Sequence, residues 1–169
     1  GLPGTDGKRI VLGANFRPEK NHRFVLESMR RVVDLVSDAS LLLVGTGPGH
    51  AGLDALESLR HTLGLERHVY FLGHRADIHS VLKACDLAII GSSSEGLPIA
   101  LLEYGMARRA VVSTDVGRCA AVLAGGECGV LVPPGDHERF STAIVRLLRS
   151  PAEREQFGER LYNRVQNHY

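Results

Sequence analysis

Tryptophan is absent and aromatic residues make up only 5% of the 169-residue chain, which argues against a stacking platform for bases or sugars. No charge of one sign dominates: 20 Lys and Arg stand against 19 Asp and Glu, a formal net charge of +1. A nucleic-acid binder that works by phosphate neutralisation ordinarily carries a basic excess, so that class is disfavoured. No apolar run approaches the length of a membrane span, and the opening residues do not read as a signal peptide. The three cysteines, Cys85, Cys119 and Cys128, form no C-x-x-C pair. Their odd number fits idle or buried thiols in a reducing compartment. The eight histidines are scattered. His74 and His79, five apart, do not share a helix face, and no metal site is read from them.

What is present is ordinary globular composition, 44% hydrophobic and 23% charged, in a length that suits one domain with a buried core. Strand-like and helix-like segments alternate. Short apolar runs at 9–15, 40–45, 68–73, 86–91, 110–114 and 129–134 predict six strands. Helical spacing predicts helices over 21–36, 52–64, 77–85, from Pro98 onward, 136–149 and 152–166, with Asp77 as an N-cap and Gly64 just past a helix end. Alternating β and α elements joined by short connections imply an α/β fold, a doubly wound parallel sheet of about six strands with helices on both faces. Residues 9–169 form this domain, and the turn-rich residues 1–8 read as a linker or chain edge.

Ligands of such sheets bind beyond the carboxyl ends of the strands. The loops there are rich in Gly, Ser, Lys, Arg and Glu. One stretch, "SSSEGLPIALLEYG" (92–105), places Glu95 just before a helix and Glu103 in its second turn. Exposed N–H groups near Leu97 and Ile99 favour an anion at the helix start, and Gly96 lets backbone come close to a ligand. A carboxylate accepts two hydroxyl hydrogen bonds, which suits vicinal diols. Alone, Glu95 reads equally as a charge complementing the helix dipole, and Glu103 as half of an ion pair. Lys20, in "RPEKN", reads as a phosphate ligand or a solvated lysine; Arg17 has the same two readings with a weaker claim. "GTGPG" (45–49) lacks the Lys-Ser/Thr of a P-loop and reads as a turn bordering a nucleotide. Ser92, Ser93 and Ser94 lack a G-x-S-x-G frame, so capping of the helix by Ser94 or a neighbour is expected.

In order along the chain, "RPEKNH", "LLLVGTGP", "VYFLGHRADI", "CDLAII", "SEGLPIALLE", "VVSTDVG" and "GVLVPPGD" resemble the retaining glycosyltransferases of family 4, glycosyl transferases group 1. The stretch around the two glutamates matches their E-x7-E motif. The resemblance implies the C-terminal, Rossmann-like half of a GT-B fold, with the N-terminal acceptor-binding domain absent from this chain. It implies an enzyme that transfers a sugar from a nucleotide diphosphate sugar to an acceptor such as a glycan or lipid-linked glycan, as in polysaccharide biosynthesis, with retention. Glu95 and Lys20 would be catalytic. Glu95 would meet sugar hydroxyls, near the Gly96 and Leu97 N–H groups, and Lys20 would neutralise the diphosphate. The Ile99 N–H would face the diphosphate, Glu103 would clasp the ribose, and backbone at Gly73, His74 and Arg75 would border the base. No D-x-D occurs, and the resemblance implies metal independence and no cofactor. It implies a cytoplasmic location, with peripheral membrane contact through the whole protein.

The sequence also departs from the family. A usual arginine in the first loop is Asn15 here, which withdraws one cation from the donor site unless Arg17 supplies it. The small-residue stretch after Glu103 reads "YGMARRA", with Arg108 and Arg109 in place of a glycine and an apolar residue, and a glutamate after "TDVG" is Ala121. These departures set phosphate affinity in question and leave a second reading, a non-catalytic nucleotide-binding module or degenerate transferase half.

Overall fold

The computed structural model describes residues 1–47 and 51–169, so the end of the "GTGPG" loop lies outside the described residues. Six parallel strands form one sheet: β1 (Arg9–Gly13), β2 (Ser40–Val44), β3 (Val69–Gly73), β4 (Leu87–Ile90), β5 (Ala110–Thr114) and β6 (Val130–Val132). Their spatial order is β3-β2-β1-β4-β5-β6. The helices are α1 (His22–Leu35), α2 (Ala51–Thr62), α3 (Ile78–Lys83), α4 (Ile99–Met106), α5 (Cys119–Val122), α6 (His137–Arg149) and α7 (Pro151–His168). Short 3-10 turns cover Pro18–Lys20 and Ala124–Gly126.

The continuous apolar runs have a simple cause: β2, β4 and β5 are buried at every position. Alternate side chains enter opposite layers, as strand geometry requires. Ile10, Leu12, Leu41, Leu43, Leu87, Ile89 and Val112 pack with α1 and α6, through Phe24, Met29, Phe140 and Ile144. Val11, Leu42, Ala88, Ile90 and Val111 pack with α3, α4, α5 and α7, through Leu82, Leu101, Tyr104, Val122 and Leu161. Helices therefore cover both faces, and loops at the carboxyl ends of the strands share one rim.

Some local signals act as predicted and others do not. Asp136 caps α6 by accepting from the Arg139 N–H at 2.9 Å. Gly64, at φ +64, follows the end of α2. Asp77, in contrast, makes no cap bond; Arg75 instead grips both its carboxylate oxygens at 2.7 Å. Ser94 does not cap α4 either; Pro98 occupies that position without a side-chain bond. The first eight residues fold back on the domain: the Arg9 guanidinium binds the Pro3 and Gly4 carbonyls at 2.9 Å, and Leu2 packs against the core. Cys85, Cys119 and Cys128 are buried free thiols, and burial pushes Cys85 up to about 12. Among the described residues, no helix is long and apolar enough to cross a membrane.

Candidate active site

The strand order reverses direction between β1 and β4. Connections from these two strands leave toward opposite layers, which opens a crevice at their carboxyl ends. A cleft of ≈ 340 Å³ occupies that place. Its floor is Leu12, Gly13 and Ile90. One wall comes from the loop after β1, with Asn15, Arg17 and Lys20, and the other from the loop after β4 and the start of α4, with Glu95, Leu97, Ile99 and Glu103.

Backbone contacts tie the two walls together. The Ser93 N–H donates to the Glu19 carbonyl at 2.9 Å. Behind them, the Arg118 N–H donates to the Gly96 carbonyl at 3.2 Å, which fixes the loop after β5 against the loop after β4. Gly117 makes that approach possible. Its φ is +53, and a Cβ there would lie 1.7 Å from the Glu95 carbonyl oxygen, so any side chain would push the Glu95 loop away.

Glu95 is the most constrained charge in the cleft. Its side chain is 8% exposed, and one oxygen, Oε1, accepts from both Lys20 Nζ and Ser92 Oγ, each at 2.7 Å. Ser92 is itself buried, and its carbonyl accepts from Thr114 Oγ1 at 2.7 Å. Lys20 and Glu95 thus hold each other across the cleft. Glu103 is the opposite case: an exposed carboxylate with no hydrogen bond or ion pair among the described residues. Arg17 is likewise exposed on the cleft and unpaired among the described residues. Leu97 and Ile99 line the cleft where α4 begins, and both side chains are exposed, at 38% and 59%.

Other expected residues lie elsewhere. Gly96 sits just behind the lining, its carbonyl taken by Arg118. Asn15 borders the cleft, but its Oδ1 accepts from the Thr46 N–H at 3.1 Å, so the side chain joins the first loop to the loop after β2. Gly73, His74 and Arg75 follow β3, two strands from β1 on the same rim, roughly 10 Å away at ordinary strand spacing, and do not line the cleft. Arg108 and Arg109, two of the departures from the family pattern, do not line the cleft. They follow α4 at the amino end of β5. Arg108 lies over the Tyr162 ring and pairs with Glu159, and Arg109 donates to the Cys85 carbonyl at 2.7 Å. Arg108 takes φ +55, a conformation natural to glycine. Ala121 offers its carbonyl to Arg164 at 2.9 Å.

Three structural contributors carried little signal in sequence. Ser92 was one of three serines, and Gly117 acts through a contact between distant loops. Tyr104 opens the stretch after Glu103, and nothing in the sequence marks it as a contributor. It is fully buried, and its hydroxyl accepts from the Gly13 N–H at 2.8 Å. His22, at the start of α1, is buried against Phe16 with ring centroids 4.9 Å apart. Burial lowers its pKa to about 4, a hydrogen bond with the Ala14 backbone opposes this, and nearby Lys20 adds to it.

Comparison with known proteins gives this arrangement a family. The glycosyl transferases group 1 model matches residues 2–164. The phosphatidyl-myo-inositol mannosyltransferase of Mycobacterium leprae is 32% identical over 163 residues, 93% of this chain and 41% of that protein. The N-acetyl-alpha-D-glucosaminyl L-malate synthase of Bacillus anthracis is 30% identical over 157 residues, 92% of this chain and 40% of that protein. The chain thus spans about two fifths of the length of these curated relatives. HepE of Anabaena, solved in complex with UDP, superposes with a TM-score of 0.88 at 21% identity, covering 95% of this chain and 44% of that one. The C-terminal domain of a glycosyl transferase group 1 family protein from Francisella tularensis, solved by itself, superposes with a TM-score of 0.86 at 22% identity, covering 99% and 88%. With a Rossmann-like sheet matching GT-B glycosyltransferase structures and a family model spanning nearly all of its length, this chain belongs to the glycosyl transferases group 1.

Proposed function

We propose that the chain is the donor-binding half of a retaining glycosyltransferase, and that the cleft between β1 and β4 holds a nucleoside diphosphate sugar. The observation that carries this reading is the meeting of Lys20, Glu95, the start of α4 at Leu97 and Ile99, and Glu103, unpaired among the described residues, in one crevice. Helix N–H groups and a lysine suit a diphosphate. Glu103, one turn behind them, suits the ribose diol, and Glu95, deeper and beside Lys20, suits hydroxyls of the sugar. The HepE complex with UDP supports the ligand class. The base then extends along the rim toward Gly73–Arg75.

In the proposed reaction an acceptor hydroxyl oxygen bonds to the anomeric carbon as the bond from that carbon to the diphosphate breaks; negative charge grows on the departing phosphate oxygens, which take up the hydroxyl proton. Lys20 and the N–H groups at Leu97 and Ile99 meet that charge without a metal or cofactor. Glu95 and Glu103 serve sugar and ribose, so neither flanks the scissile bond as a glycosidase carboxylate pair does. The acceptor enters from an N-terminal domain that closes the cleft. We place the whole protein in the cytoplasm, with any peripheral membrane contact made through residues outside this chain.

The experiment is a calorimetric screen of UDP-, GDP- and ADP-sugars, with a parallel search for glycosylated product from an acceptor mixture. The expected outcome is donor binding and no robust transfer, because orientation of the acceptor needs the second wall. Robust turnover by this chain alone contradicts the half-enzyme reading. One observation favours the alternative of a non-catalytic nucleotide-binding module: Asn15 is turned toward Thr46 and brings no cation to the cleft. Transfer by the whole protein excludes that alternative.

A further inference from the structure

The floor of the cleft contains a split in the sheet. β1 pairs with β2 along its whole length, Arg9 to Gly13. β4 pairs with β5 along its whole length, Leu87 to Ile90. Between them, β1 and β4 register only at Ile10–Leu87 and Val11–Ala88. Beyond that point the two strands part, and backbone groups facing the gap lose their ladder partners. The Ala14 N–H turns to β2, where it donates to the Val44 carbonyl at 2.9 Å. The preceding N–H, that of Gly13, therefore faces the gap.

Tyr104 fills this gap. Its side chain rises from α4, is 1% exposed, and its hydroxyl accepts from the Gly13 N–H at 2.8 Å. The same oxygen lies 3.5 Å from the Ile89 carbonyl of β4, on the other lip. Burial raises the pKa of the phenol, so it keeps its proton and can serve both lips. A phenylalanine would fill nearly the same volume and leave a buried N–H without a partner.

We propose that Tyr104 is a positioning residue for the donor: its hydroxyl substitutes for the missing ladder bond at the split between β1 and β4 and thereby holds α4 in the register that aims Glu103 into the cleft. Glu103 is the adjacent residue on α4 and has no partner of its own among the described residues, so its aim depends on how the helix is seated. The inference rests on the reading of Glu103 as the ribose ligand.

The test uses the 169-residue chain with UDP, GDP and ADP, each compared with its 2′-deoxy counterpart. For the diphosphate that binds best, the parent should prefer the ribose form by about tenfold or more, the value of one charge-assisted hydrogen bond. Tyr104→Phe should bring that preference to within about threefold, as Glu103→Ala does. Loss of packing alone would weaken both forms equally and keep the ratio. A parental ratio in folded Tyr104→Phe overturns the inference. No binding of any diphosphate, or no ribose preference in the parent, overturns the underlying reading and the inference with it. Hydrogen exchange at the Gly13 amide of the parent needs no variant: a slowed amide supports the bridge, and exchange as fast as an exposed loop amide overturns it.

Discussion

Glu95→Gln separates the two ligands that the cleft is proposed to read. The change removes one charge and keeps the size of the side chain beside Ser92. In the parent, Lys20 Nζ lies 2.7 Å from Glu95 Oε1, so an incoming diphosphate must share or displace that contact. The side chains are 27% and 8% exposed, which places the pair between a surface ion pair, worth up to about 1 kcal/mol, and a buried one. If about 1–2 kcal/mol is released when Lys20 is freed, the nucleoside diphosphate binds the variant about 5- to 30-fold more tightly. A diphosphate sugar gains the same release but loses charge-assisted bonds from its hydroxyls to the carboxylate, about 1.5–3 kcal/mol. The affinity ratio of sugar nucleotide to free nucleotide should therefore fall about tenfold or more. Calorimetry on both ligands at one ionic strength measures the ratio, since screening weakens the phosphate contacts. If both ligands weaken in parallel, Glu95 holds the loop and does not read the sugar, and the reasoning fails.

Three further outcomes are expected. Glu103→Ala should weaken the free nucleoside diphosphate by about 10- to 150-fold, from the loss of about 1.5–3 kcal/mol of ribose bonding, while thermal unfolding stays unchanged because the side chain is unpaired among the described residues. Gly117→Ala should lower unfolding stability by about 2 kcal/mol or more and erase the sugar increment, since its Cβ would meet the Glu95 carbonyl oxygen at 1.7 Å with φ at +53; a stable variant with the parental ratio would refute this. His22 should make stability depend on acid: its folded pKa of about 4 lies below the ordinary 6.5, so the unfolded chain binds the extra proton between these values. Its contribution is complete above pH 6.5 and is lost as pH falls toward about 4, on the order of 3 kcal/mol, a loss that urea unfolding should show in the parent and not in His22→Phe.

Burial determines which features could be read in advance. Strands covered on both faces are continuous apolar runs, so β2, β4 and β5 announce themselves in sequence, and their alternation with helices implies a parallel sheet. The strand order does not follow from that alternation, and it is the order that puts the loops after β1 and β4 side by side. Lys20, Glu95 and Glu103 were legible because charged residues interrupt small and apolar stretches next to a helix start. Their pairing was not, since the Lys20–Glu95 contact spans 75 positions. Arg108 and Arg109 follow Glu103 closely in sequence, yet α4 runs eight residues, about 12 Å, and carries them toward the far end of the sheet. Tyr104 and Gly117 share a different difficulty. A buried tyrosine in a helix reads as core, and a glycine in a turn reads as a turn, until the partner backbone is in place.

The cleft between β1 and β4 is the proposed seat of a nucleoside diphosphate. Amide chemical shifts of the isotopically labelled chain, followed during titration with UDP, GDP and ADP, test it most directly. With at least one of them, saturable shifts should concentrate at Lys20, Gly96, Leu97, Ile99 and Glu103, with Arg108, Arg109 and Ala110 at the opposite end of the sheet unmoved. Saturable shifts confined to that opposite end, or none with any of the three nucleotides, would contradict it.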